Sequence, residues 1–282
     1  MKAVNDILVR SAEYLEERGV ESPRRLAEQM LCGLLNLSRM DLYLGFDRPL
    51  NDEELAQCRS RLKRLGEGEP IQYIEGVVDF LGCSIEVGPS VLIPRPETEE
   101  LASKIVEELK ISDLQGKRLW DICAGSGCLG IAIKKACPEL EVVMSDISAD
   151  ACRIAGKNAG NNRVEAKCRH GDLFAPFENE TAHFIVSNPP YVSESEYRGL
   201  SRSVKGYEPE QALVGGADGL EVYRRIAKDL KKYLAPGGKA WMEIGFCQGN
   251  DIKVIFEQAG FARLKVECDL SGHNRFFSLE NE

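Results

Sequence analysis

The sequence predicts an α/β protein with a doubly wound, largely parallel sheet, preceded by a small N-terminal helical bundle and a β-hairpin linker. Two observations carry this prediction. Residues 118–123 form an apolar run that passes through a glycine-rich turn into the helical pattern of residues 131–136, the opening unit of such a sheet. Apolar residues also recur at helical spacing over the first 75 positions. We therefore expect a helical bundle at 1–75, a hairpin linker at 76–93 and the α/β domain at 94–282.

Length and charge limit the class of protein. A chain of 282 residues can bury a substantial core and form two domains. The net charge of −9 and pI of about 5.2 argue against a broad nucleic-acid-binding face. The first residues do not resemble a signal peptide, and no apolar run approaches the length of a membrane span. We therefore expect a cytoplasmic protein without membrane contact.

The metal-ligand and thiol residues are scattered. Ten cysteines form no C-x-x-C pair, and the three histidines are isolated. This pattern is typical of reduced, buried thiols and not of a disulfide framework or a zinc site. Cys123 and Cys128 flank the glycine turn and are candidates for reaction with thiol reagents, but nothing marks a catalytic nucleophile.

The N-terminal segment is punctuated as helices would be. Ser22-Pro23 predicts a helix start with proline at the first helical position, and residues 66–70 end the last helix of the bundle. Lys and Arg number 11 against 14 Asp and Glu through residue 75. The bundle therefore resembles a protein-binding or stabilising cap more than a DNA-reading module.

Residues 71–93 are predicted to be extended, with turns at Gly82 and at Gly88-Pro89. The run Pro-Arg-Pro-Glu-Thr-Glu-Glu follows at 94–100. Pro96 and the acids after it predict a helix start that suits the helix dipole. Two interpretations stay open for this run: a well-capped helix, or a rigid support for a substrate pocket.

The glycine loop comprises Cys123, Ala124, Gly125, Ser126 and Gly127. Glycines here allow backbone angles and a close ligand approach that a Cβ would block. A nucleotide phosphate site is the first alternative, but the loop lacks the Gly-Lys-Ser/Thr of a P-loop.

Acids end the next two strands. Asp146 closes the strand at 141–146, about twenty residues after the loop, where a carboxylate can accept both hydroxyls of a ribose. The alternative is a cap for the helix that begins near Ser148. After a third strand at 164–168, Asp172 and Leu173 are placed to bind an adenine amine and to pack against its ring.

A fourth strand at 183–187 ends in the turn Asn188, Pro189, Pro190 and Tyr191. The prolines remove two backbone N–H donors, so the turn presents carbonyl oxygens, and the Asn188 side chain adds an acceptor. Tyr191 adds an apolar, π-rich wall. This turn suits a planar NH2 group, although alone it is equally typical of an ordinary loop.

Four successive parallel strands thus end in ligand-type residues, as expected of an open α/β sheet. The loop and the order of the motifs look like those of an S-adenosylmethionine methyltransferase. Together with the run at 94–100, and with Tyr-Glu-Pro-Glu-Gln-Ala-Leu at 207–213, they resemble the HemK/PrmC family of protein-(glutamine) methyltransferases. The similarity spans nearly the full length.

The resemblance implies a Rossmann-like class I methyltransferase with a seven-stranded mixed sheet at 94–282. It implies the methylation, by S-adenosyl-L-methionine, of the glutamine amide in the Gly-Gly-Gln motif of class I peptide-chain release factors. S-adenosyl-L-homocysteine is the expected product, and neither a metal nor a stable nucleic-acid partner is expected. A monomer is expected. The implied cofactor contacts are Cys123, Ala124, Gly125, Ser126, Gly127, Asp146, Asp172, Leu173 and Asn188. Leu173 departs from the family, where this position is often aromatic.

The residues at 188–191 are implied to hold the substrate glutamine, with Asn188, Pro189 and Tyr191 as catalytic residues. We hypothesise that the Asn188 side-chain oxygen and the Pro189 carbonyl accept the two amide hydrogens. Tyr191 would form a wall of the slot and favour the cationic methyl group. No general base is needed before transfer, because the methylated nitrogen is cationic and loses its proton readily.

Two other functions are compatible with parts of this sequence. A nucleic-acid methyltransferase acting on an adenine or guanine amine fits the 188–191 turn equally well, but the acidic pI and the flanking motifs disfavour it. A catalytically silent binding module is disfavoured because Gly125, Gly127, Asp146 and Asn188 are all present.

The C-terminal part continues the α/β pattern. We expect a helix at 220–234, a strand at 239–244, a further helix and two strands at 262–267 and 275–279, whose hairpin would supply a reversed edge strand. Residues 193–214 are predicted to be a long polar loop that orders when substrate binds.

Overall fold

The computed structural model describes residues 3–282. Contacts divide the chain into two compact units. The first comprises the residues up to Gly76 together with Ser201–Tyr207, and the second comprises Val77–Leu200 together with Glu208–Glu282. These units are defined by contacts, and the domain limits at 75 and 93 stay predictions.

The first unit is helical. Its helices up to Gly76 are α1 (Val4–Glu16), α2 (Pro23–Leu35), α3 (Arg39–Leu44), α4 (Asp52–Gly66) and α5 (Ile71–Glu75). As predicted, α2 begins at Pro23 and α4 ends at Gly66. The apolar stripes of these helices form one core that includes Leu8, Met30 and Leu42.

Helix α5 corrects the prediction that residues 71–93 are extended throughout. Ile71, Tyr73 and Ile74 are buried, and Ile71 and Ile74 join the core of the first unit. The β-branched and aromatic residues of this segment favour a strand by propensity, but packing against neighbours decides such short segments. The hairpin itself is present after Gly76, as described next.

The second unit alternates strands and helices. Its elements are β1 (Val77–Phe80), β2 (Cys83–Glu86), α6 (Pro96–Leu109), β3 (Arg118–Ile122), α7 (Cys128–Ala136), β4 (Glu141–Asp146), α8 (Ala149–Asn161), β5 (Ala166–His170), β6 (Ala182–Ser187), α9 (Glu194–Gly199), α11 (Glu221–Tyr233), β7 (Leu234–Glu243), α12 (Gly249–Gln258), β8 (Arg263–Cys268) and β9 (Asn274–Glu280). Helix α10 (Arg202–Lys205) lies in the segment that belongs to the first unit. Strands β1 and β2 form the predicted antiparallel hairpin.

The seven strands from β3 onward form one mixed sheet in the order β5-β4-β3-β6-β7-β9-β8. The first five strands of that order are parallel. Ile122 pairs with both Ser145 and Ser187, so β3, β4 and β6 end at the same edge of the sheet. The predicted seven-stranded, Rossmann-like class I methyltransferase fold is confirmed.

The last hairpin differs in one respect from its prediction as a reversed edge strand. β9 is antiparallel to both β7 and β8, and it lies between them. The edge strand β8 therefore runs in the same direction as β7. A hairpin can place either of its strands next to β7, and local sequence does not encode that choice.

Helices cover both faces of this sheet. Trp120, Ile185 and Met242 pack with Tyr223 and Ile226 of α11 in one buried core. On the opposite face, Trp241 donates its indole N–H to Glu108 of α6 over 3.1 Å. Both faces are therefore buried, which explains why the central strands are apolar runs without alternation.

The segment 193–214 is ordered, in contrast to the predicted polar loop. It contains α9, α10 and a 3-10 turn at Glu210–Ala212. Ser193 and Glu196 form a reciprocal capping box at the start of α9, and Ser-x-x-Glu is a helix-start pattern readable from sequence. Val192 and Val214 pair as an isolated parallel bridge that closes the ends of the segment.

No helix among residues 3–282 is long and apolar enough to cross a membrane.

Candidate active site

A cavity of about 310 Å³ lies in the second unit where β3, β4 and β6 end. Ligand-binding clefts in proteins are roughly 300–1,000 Å³. Most of the residues predicted to contact a cofactor line it: Cys123, Ala124, Gly125, Ser126, Asp146, Asp172, Leu173 and Asn188. Pro190 also lines it, whereas Gly127, Pro189 and Tyr191 do not.

The two glycines of the loop, Gly125 and Gly127, are required for different structural reasons. Gly125 has φ of +54°, and a Cβ built on it would meet no atom within 4 Å. Since Gly125 lines the cavity, its bare backbone leaves room for a ligand to approach. Gly127 has φ of +79°, and a Cβ there would lie 2.9 Å from the Met144 sulfur. Gly127 therefore allows the turn into α7 to pack against β4.

Asp146 fixes the loop from the neighbouring strand. One carboxylate oxygen accepts the Gly125 N–H and the other accepts the Ser148 N–H, each over 2.8 Å. Burial raises the pKa of Asp146, while these two N–H groups oppose the rise. The cap of α8 is the Ser148 hydroxyl, which accepts the Ala151 N–H. The alternative in which Asp146 is itself the helix cap is therefore not what the structure shows.

Asp121, at the end of β3, is a cavity residue that the predicted site set omits. It is almost fully buried and accepts the Gly130 N–H over 2.9 Å. Burial raises the pKa of Asp121 to about 7, and the nearby Asp146 adds to the rise. The signal was present in the sequence, because Asp121 is the acid that ends the apolar run before the glycine loop.

The loop is also held from behind by α8. The fully buried Asn158 donates to the carbonyls of Ser126 and Glu86 over 2.9 and 3.0 Å, and it accepts the Glu86 N–H over 2.8 Å. One turn later, Asn162 accepts the Ser84 N–H and donates to the Ser84 carbonyl. The two amides bind β2 as a neighbouring strand would, so the hairpin and the glycine loop are braced by one helix.

The third strand end carries Asp172 and Leu173. Asp172 is paired with Arg225 of α11 over 2.5 Å through one carboxylate oxygen. Leu173 is half-buried with φ of +48°, an uncommon angle for a residue with a Cβ, and it packs against the main core of the unit. Both residues line the cavity beside the loop, as the predicted adenine site requires.

The turn at 188–191 divides its side chains between the cavity and the interior. Asn188 lines the cavity and donates its Nδ2–H to the Thr98 hydroxyl over 3.2 Å. The Tyr191 hydroxyl donates to Glu243 over 3.1 Å, and burial raises the pKa of Tyr191 well above its usual range. Pro189 is buried. The catalytic roles of Pro189 and Tyr191 stay predictions.

Thr98 and Glu243 are further site residues that the sequence reasoning missed. Both are buried, and the Thr98 hydroxyl donates to Glu243 over 2.6 Å. Burial raises the pKa of Glu243, against the effect of the bonds from Thr98 and Tyr191. The sequence contained a signal for Thr98, since this residue lies in the run at 94–100. Glu243 ends the apolar strand β7 just as Asp121 and Asp146 end theirs.

The other two family motifs meet at Glu208. This side chain is buried and accepts the Ile93 N–H over 3.0 Å and the Arg95 guanidinium over 2.5 Å. The Glu-Pro-x-x-Ala-Leu segment therefore holds the Pro-Arg-Pro run, whose Pro94 lines the cavity. The interpretation of residues 94–100 as a support for the pocket fits these contacts, and the N-cap residue Arg95 makes no side-chain capping bond.

The thiols at the loop are poor nucleophiles. Burial raises the pKa of Cys123 and of Cys128 to about 12. Since the thiolate is the reactive form, neither residue is suited to covalent catalysis near neutral pH. Among residues 3–282, no group of three or more His, Cys, Asp or Glu side chains is arranged to hold a metal ion.

The charge of the cavity favours a cationic ligand. The titratable side chains that line it in the described chain are four carboxyl groups and one guanidinium, those of Asp121, Asp146, Asp172, Glu221 and Arg225, and the raised pKa of Asp121 leaves it partly protonated at neutral pH. A phosphate-bearing nucleotide would meet a surplus of like charge. S-adenosyl-L-methionine has an adenosine part but no phosphate, and its sulfonium and ammonium are positive. The lining residues and the open space over Gly125 fit this group.

Comparison with known proteins gives two family matches. Residues 6–76 match the model of the PrmC N-terminal domain, and residues 98–202 match that of the methyltransferase small domain. Together they cover the helical unit and the strand ends that carry the glycine loop, Asp146 and Asn188.

Two relatives are similar over nearly their full length. The release factor glutamine methyltransferase of Chlamydia trachomatis serovar D is 43% identical over 277 residues, 98% of this chain and 93% of the relative. The protein of the same name from Geobacter sulfurreducens is 40% identical over 262 residues, 93% of this chain and 91% of the relative.

A solved structure shares the fold at much lower identity. The 16S rRNA N2 G1207 methyltransferase of T. Thermophilus, in complex with AdoMet and guanosine, has a TM-score of 0.52 and 18% identity. The match covers 73% of this chain and 50% of that protein. It supports the fold and says nothing about the substrate.

Proposed function

The chain belongs to the family of release factor glutamine methyltransferases, and on that premise we propose that it transfers a methyl group from S-adenosyl-L-methionine to a glutamine side-chain amide of a peptide-chain release factor. The substrate is the glutamine of the Gly-Gly-Gln motif in class I release factors. The relatives' names support the release factor as partner, and the motif and the class come from the family resemblance.

One observation carries this proposal. Asn188 lines the same cavity as Gly125 and Asp146, at strand ends that lie next to one another in the sheet. A cofactor held by the loop and by Asp146 is thereby within reach of an amide held by Asn188. The rival assignment, a nucleic-acid amino-methyltransferase, has no support from the names of the relatives at 35–43% identity.

The loop at 123–127 and the three strand ends would hold the cofactor. When bound, S-adenosyl-L-methionine supplies a methyl group on a sulfonium and is converted to S-adenosyl-L-homocysteine. Each Asp146 oxygen uses one lone pair on a backbone N–H, so each retains capacity to accept a ribose hydroxyl. The Asp172 oxygen not bonded to Arg225 would accept the adenine amine, and Leu173 would pack against the ring.

The turn at 188–191 would position the substrate. The Asn188 Oδ1 and the Pro189 carbonyl accept the two amide hydrogens, which leaves the nitrogen lone pair facing the methyl donor. Alignment of this kind contributes about 7–11 kcal/mol in favourable intramolecular cases. The Tyr191 ring would border the slot next to the cavity, with its hydroxyl held by Glu243.

The proposed mechanism needs no general base before methyl transfer. With the cofactor bound, the glutamine nitrogen would form a bond to the methyl carbon as the carbon–sulfur bond breaks, the sulfur would keep the bonding electron pair, and the cationic nitrogen would then release a proton to water. We expect no metal requirement, because the sulfonium of the cofactor would leave as a neutral thioether, which needs no Lewis acid. We also propose a cytoplasmic monomer that makes no stable complex with nucleic acid or membrane.

The test is mass spectrometry of a class I release factor after incubation with the protein and S-adenosyl-L-methionine. One methyl group on the Gly-Gly-Gln glutamine is the expected result. Two controls accompany it. A release factor with Asn in place of that glutamine tests the site of methylation, and an equal mass of RNA or DNA tests the rival substrate. Label on nucleic acid, or none on the release factor, would overturn the proposal.

A further inference from the structure

A chain of hydrogen bonds leads from the cavity into the protein interior. Asn188 donates its Nδ2–H to Thr98, the Thr98 hydroxyl donates to Glu243 Oε2, and the Tyr191 hydroxyl donates to Glu243 Oε1. Thr98 is 2% exposed and Glu243 is 1% exposed, so water does not compete for these bonds. The proposed function uses Asn188 and Tyr191, at the two ends of this chain, and leaves Thr98 and Glu243 between them without a role.

The chemistry of Glu243 fixes the direction of every bond in the chain. Both of its oxygens accept, Oε2 from the Thr98 hydroxyl and Oε1 from the Tyr191 hydroxyl, and these two bonds favour the ionised carboxylate against the burial that raises the pKa of Glu243. A threonine hydroxyl has one proton, and Thr98 donates that proton to Glu243. Thr98 therefore offers only lone pairs to Asn188, and Asn188 must turn its NH2 toward Thr98.

This direction matters because an amide side chain has two ends of nearly equal size. Packing alone distinguishes poorly between the oxygen and the NH2 of Asn188. With the NH2 held by Thr98, the oxygen faces away from Thr98. The opposite orientation would offer a donor to a substrate NH2, which itself offers only donors, and the bond would be lost.

The first turn of α6 makes the arrangement possible. Thr98 is the third helical residue after Arg95, whose position is fixed by the buried Glu208. Glu243 lies at the end of β7, where Ser187 and Met242 are paired neighbours, so Asn188 and Glu243 follow them side by side. Tyr223 further anchors the strand end by donating to the Glu243 carbonyl over 2.7 Å.

We propose that Thr98 and Glu243 are positioning residues, which orient the Asn188 amide so that its oxygen is presented to a substrate NH2. This inference rests on the proposed function for its consequence, and on the hydrogen-bond chain for its mechanism. It also deepens the substrate class: the site selects a primary amide, because a carboxylate of the same shape would place two acceptors together.

The test compares Thr98→Val, which keeps the shape and removes the acceptor, with Thr98→Ser, which keeps the hydroxyl. Methyl transfer to the release factor should fall about 100-fold in kcat for Thr98→Val, the size of effect that misplacement of a reacting group produces. Thr98→Ser should restore most of the rate. The chain's other threonine supplies the matched control, because Thr181 is exposed and does not line the cavity, and Thr181→Val should behave as wild type.

A second readout does not depend on turnover. In 15N-labelled protein without substrate, the Asn188 side-chain NH2 signal is identified by its loss in Asn188→Ala. Its chemical shift and its protection from solvent exchange should change in Thr98→Val and in Glu243→Gln, and stay close to wild type in Thr98→Ser and Thr181→Val. Glu243→Gln is informative because a carboxamide can also donate, which releases the Thr98 proton toward Asn188.

The outcomes separate the two proposals. Absence of turnover by the wild-type protein on any release factor overturns the proposed function, whatever the NMR signal shows. Wild-type kcat in Thr98→Val, or an unchanged Asn188 NH2 signal in both Thr98→Val and Glu243→Gln, overturns the positioning role and leaves the function in place. Equal loss in Thr98→Ser and Thr98→Val would also overturn it, since packing and not the hydroxyl would then be responsible.

Discussion

Gly130 donates its backbone N–H to the Asp121 carboxylate over 2.9 Å, although Asp121 is buried and carries a pKa raised to about 7. A Cβ at Gly130 would lie 2.9 Å from the same carboxylate oxygen. The first turn of α7 is thus fitted directly onto an acid whose charge is costly at neutral pH. This relationship has a consequence for stability.

Replacing Asp121 with Asn should remove a pH dependence of the free energy of unfolding. The carboxyl group has its ordinary pKa of 3.8 in the unfolded chain and a pKa of about 7 in the folded chain. Between these two pH values, the folded chain keeps a proton on Asp121 that the unfolded chain has lost. Stability from this group therefore falls as pH rises through that window, and the loss is complete above pH 7. A shift of one pKa unit corresponds to about 1.4 kcal/mol. The free energy of unfolding of Asp121→Asn, relative to that of wild type, should therefore rise by roughly 1–4 kcal/mol from pH 4 to pH 8.

Urea unfolding at several pH values measures this difference, because the other titrating groups are common to both proteins. The Asn side chain retains an oxygen for Gly130, so the fold should be kept. Parallel stability profiles of wild type and Asp121→Asn would show that the carboxyl is ionised throughout and that the raised pKa is wrong.

Asn188→Ala should lower kcat by about 100-fold or more, since one of the two acceptors for the substrate amide is lost. The affinity for S-adenosyl-L-methionine should change much less, because the loop and Asp146 remain. Methylation rates on a release factor and titration calorimetry with the cofactor separate the two effects. Near-normal methylation by this variant would contradict the mechanism.

Asp146→Ala should weaken cofactor binding by about 10- to 100-fold, as expected for the loss of charged hydrogen bonds of roughly 1.5–3 kcal/mol. Two causes contribute, since Asp146 is predicted to hold the ribose and is seen to hold the Gly125 N–H. Asp146→Asn keeps one acceptor oxygen and should be affected less. Calorimetry that finds the affinity unchanged in the Ala variant would argue against the ribose role.

Gly127→Ala should destabilise the second unit by about 2–4 kcal/mol, from a left-handed φ and a crowded Cβ together. The Cβ would lie 2.9 Å from Met144 and 3.0 Å from Ala155. Gly156 offers the matched control, because it lies in α8 with no atom within 4 Å of a built Cβ. Gly156→Ala should stabilise by up to about 1 kcal/mol. Thermal unfolding of both variants gives the comparison, and a similar shift in both would refute the packing argument.

Cys123 and Cys128 should resist alkylation in the folded protein, because burial keeps both thiols protonated. The exposed Cys247 and Cys268 should be labelled first. Peptide mapping after a short treatment with iodoacetamide at pH 7.5 reports each site separately. Early labelling of Cys123, which lines the cavity, would mean that its thiol ionises more readily than its raised pKa indicates.

The strand-loop-helix unit at β3 and α7 was predictable because its signals are local. A run of apolar residues, two glycines and a helical stripe need no knowledge of distant contacts. The same holds for Asp146 and Asn188, which end strands that are recognisable one at a time. Their convergence follows from the rule that parallel strands end at a common edge.

The features that were missed depend on contacts between distant parts of the chain. Ile71–Glu75 is helical because its side chains enter the core of the first unit. Thr98 and Glu243 are 145 residues apart, and nothing in either local sequence shows that they meet. The place of β9 inside the sheet likewise depends on which strand of the hairpin pairs with β7, and that pairing joins distant parts of the chain.

Because Asn158 and Asn162 pair with β2, the position of the hairpin should report movement of the glycine loop. Because one helix holds both, a displacement at Ser126 is carried to the backbone at Glu86 by a single side chain. A fluorescent or spin label at the exposed Leu81, in the turn of that hairpin, would thus register loop movement without occupying the cavity. Cofactor binding becomes observable from the outer surface of the unit.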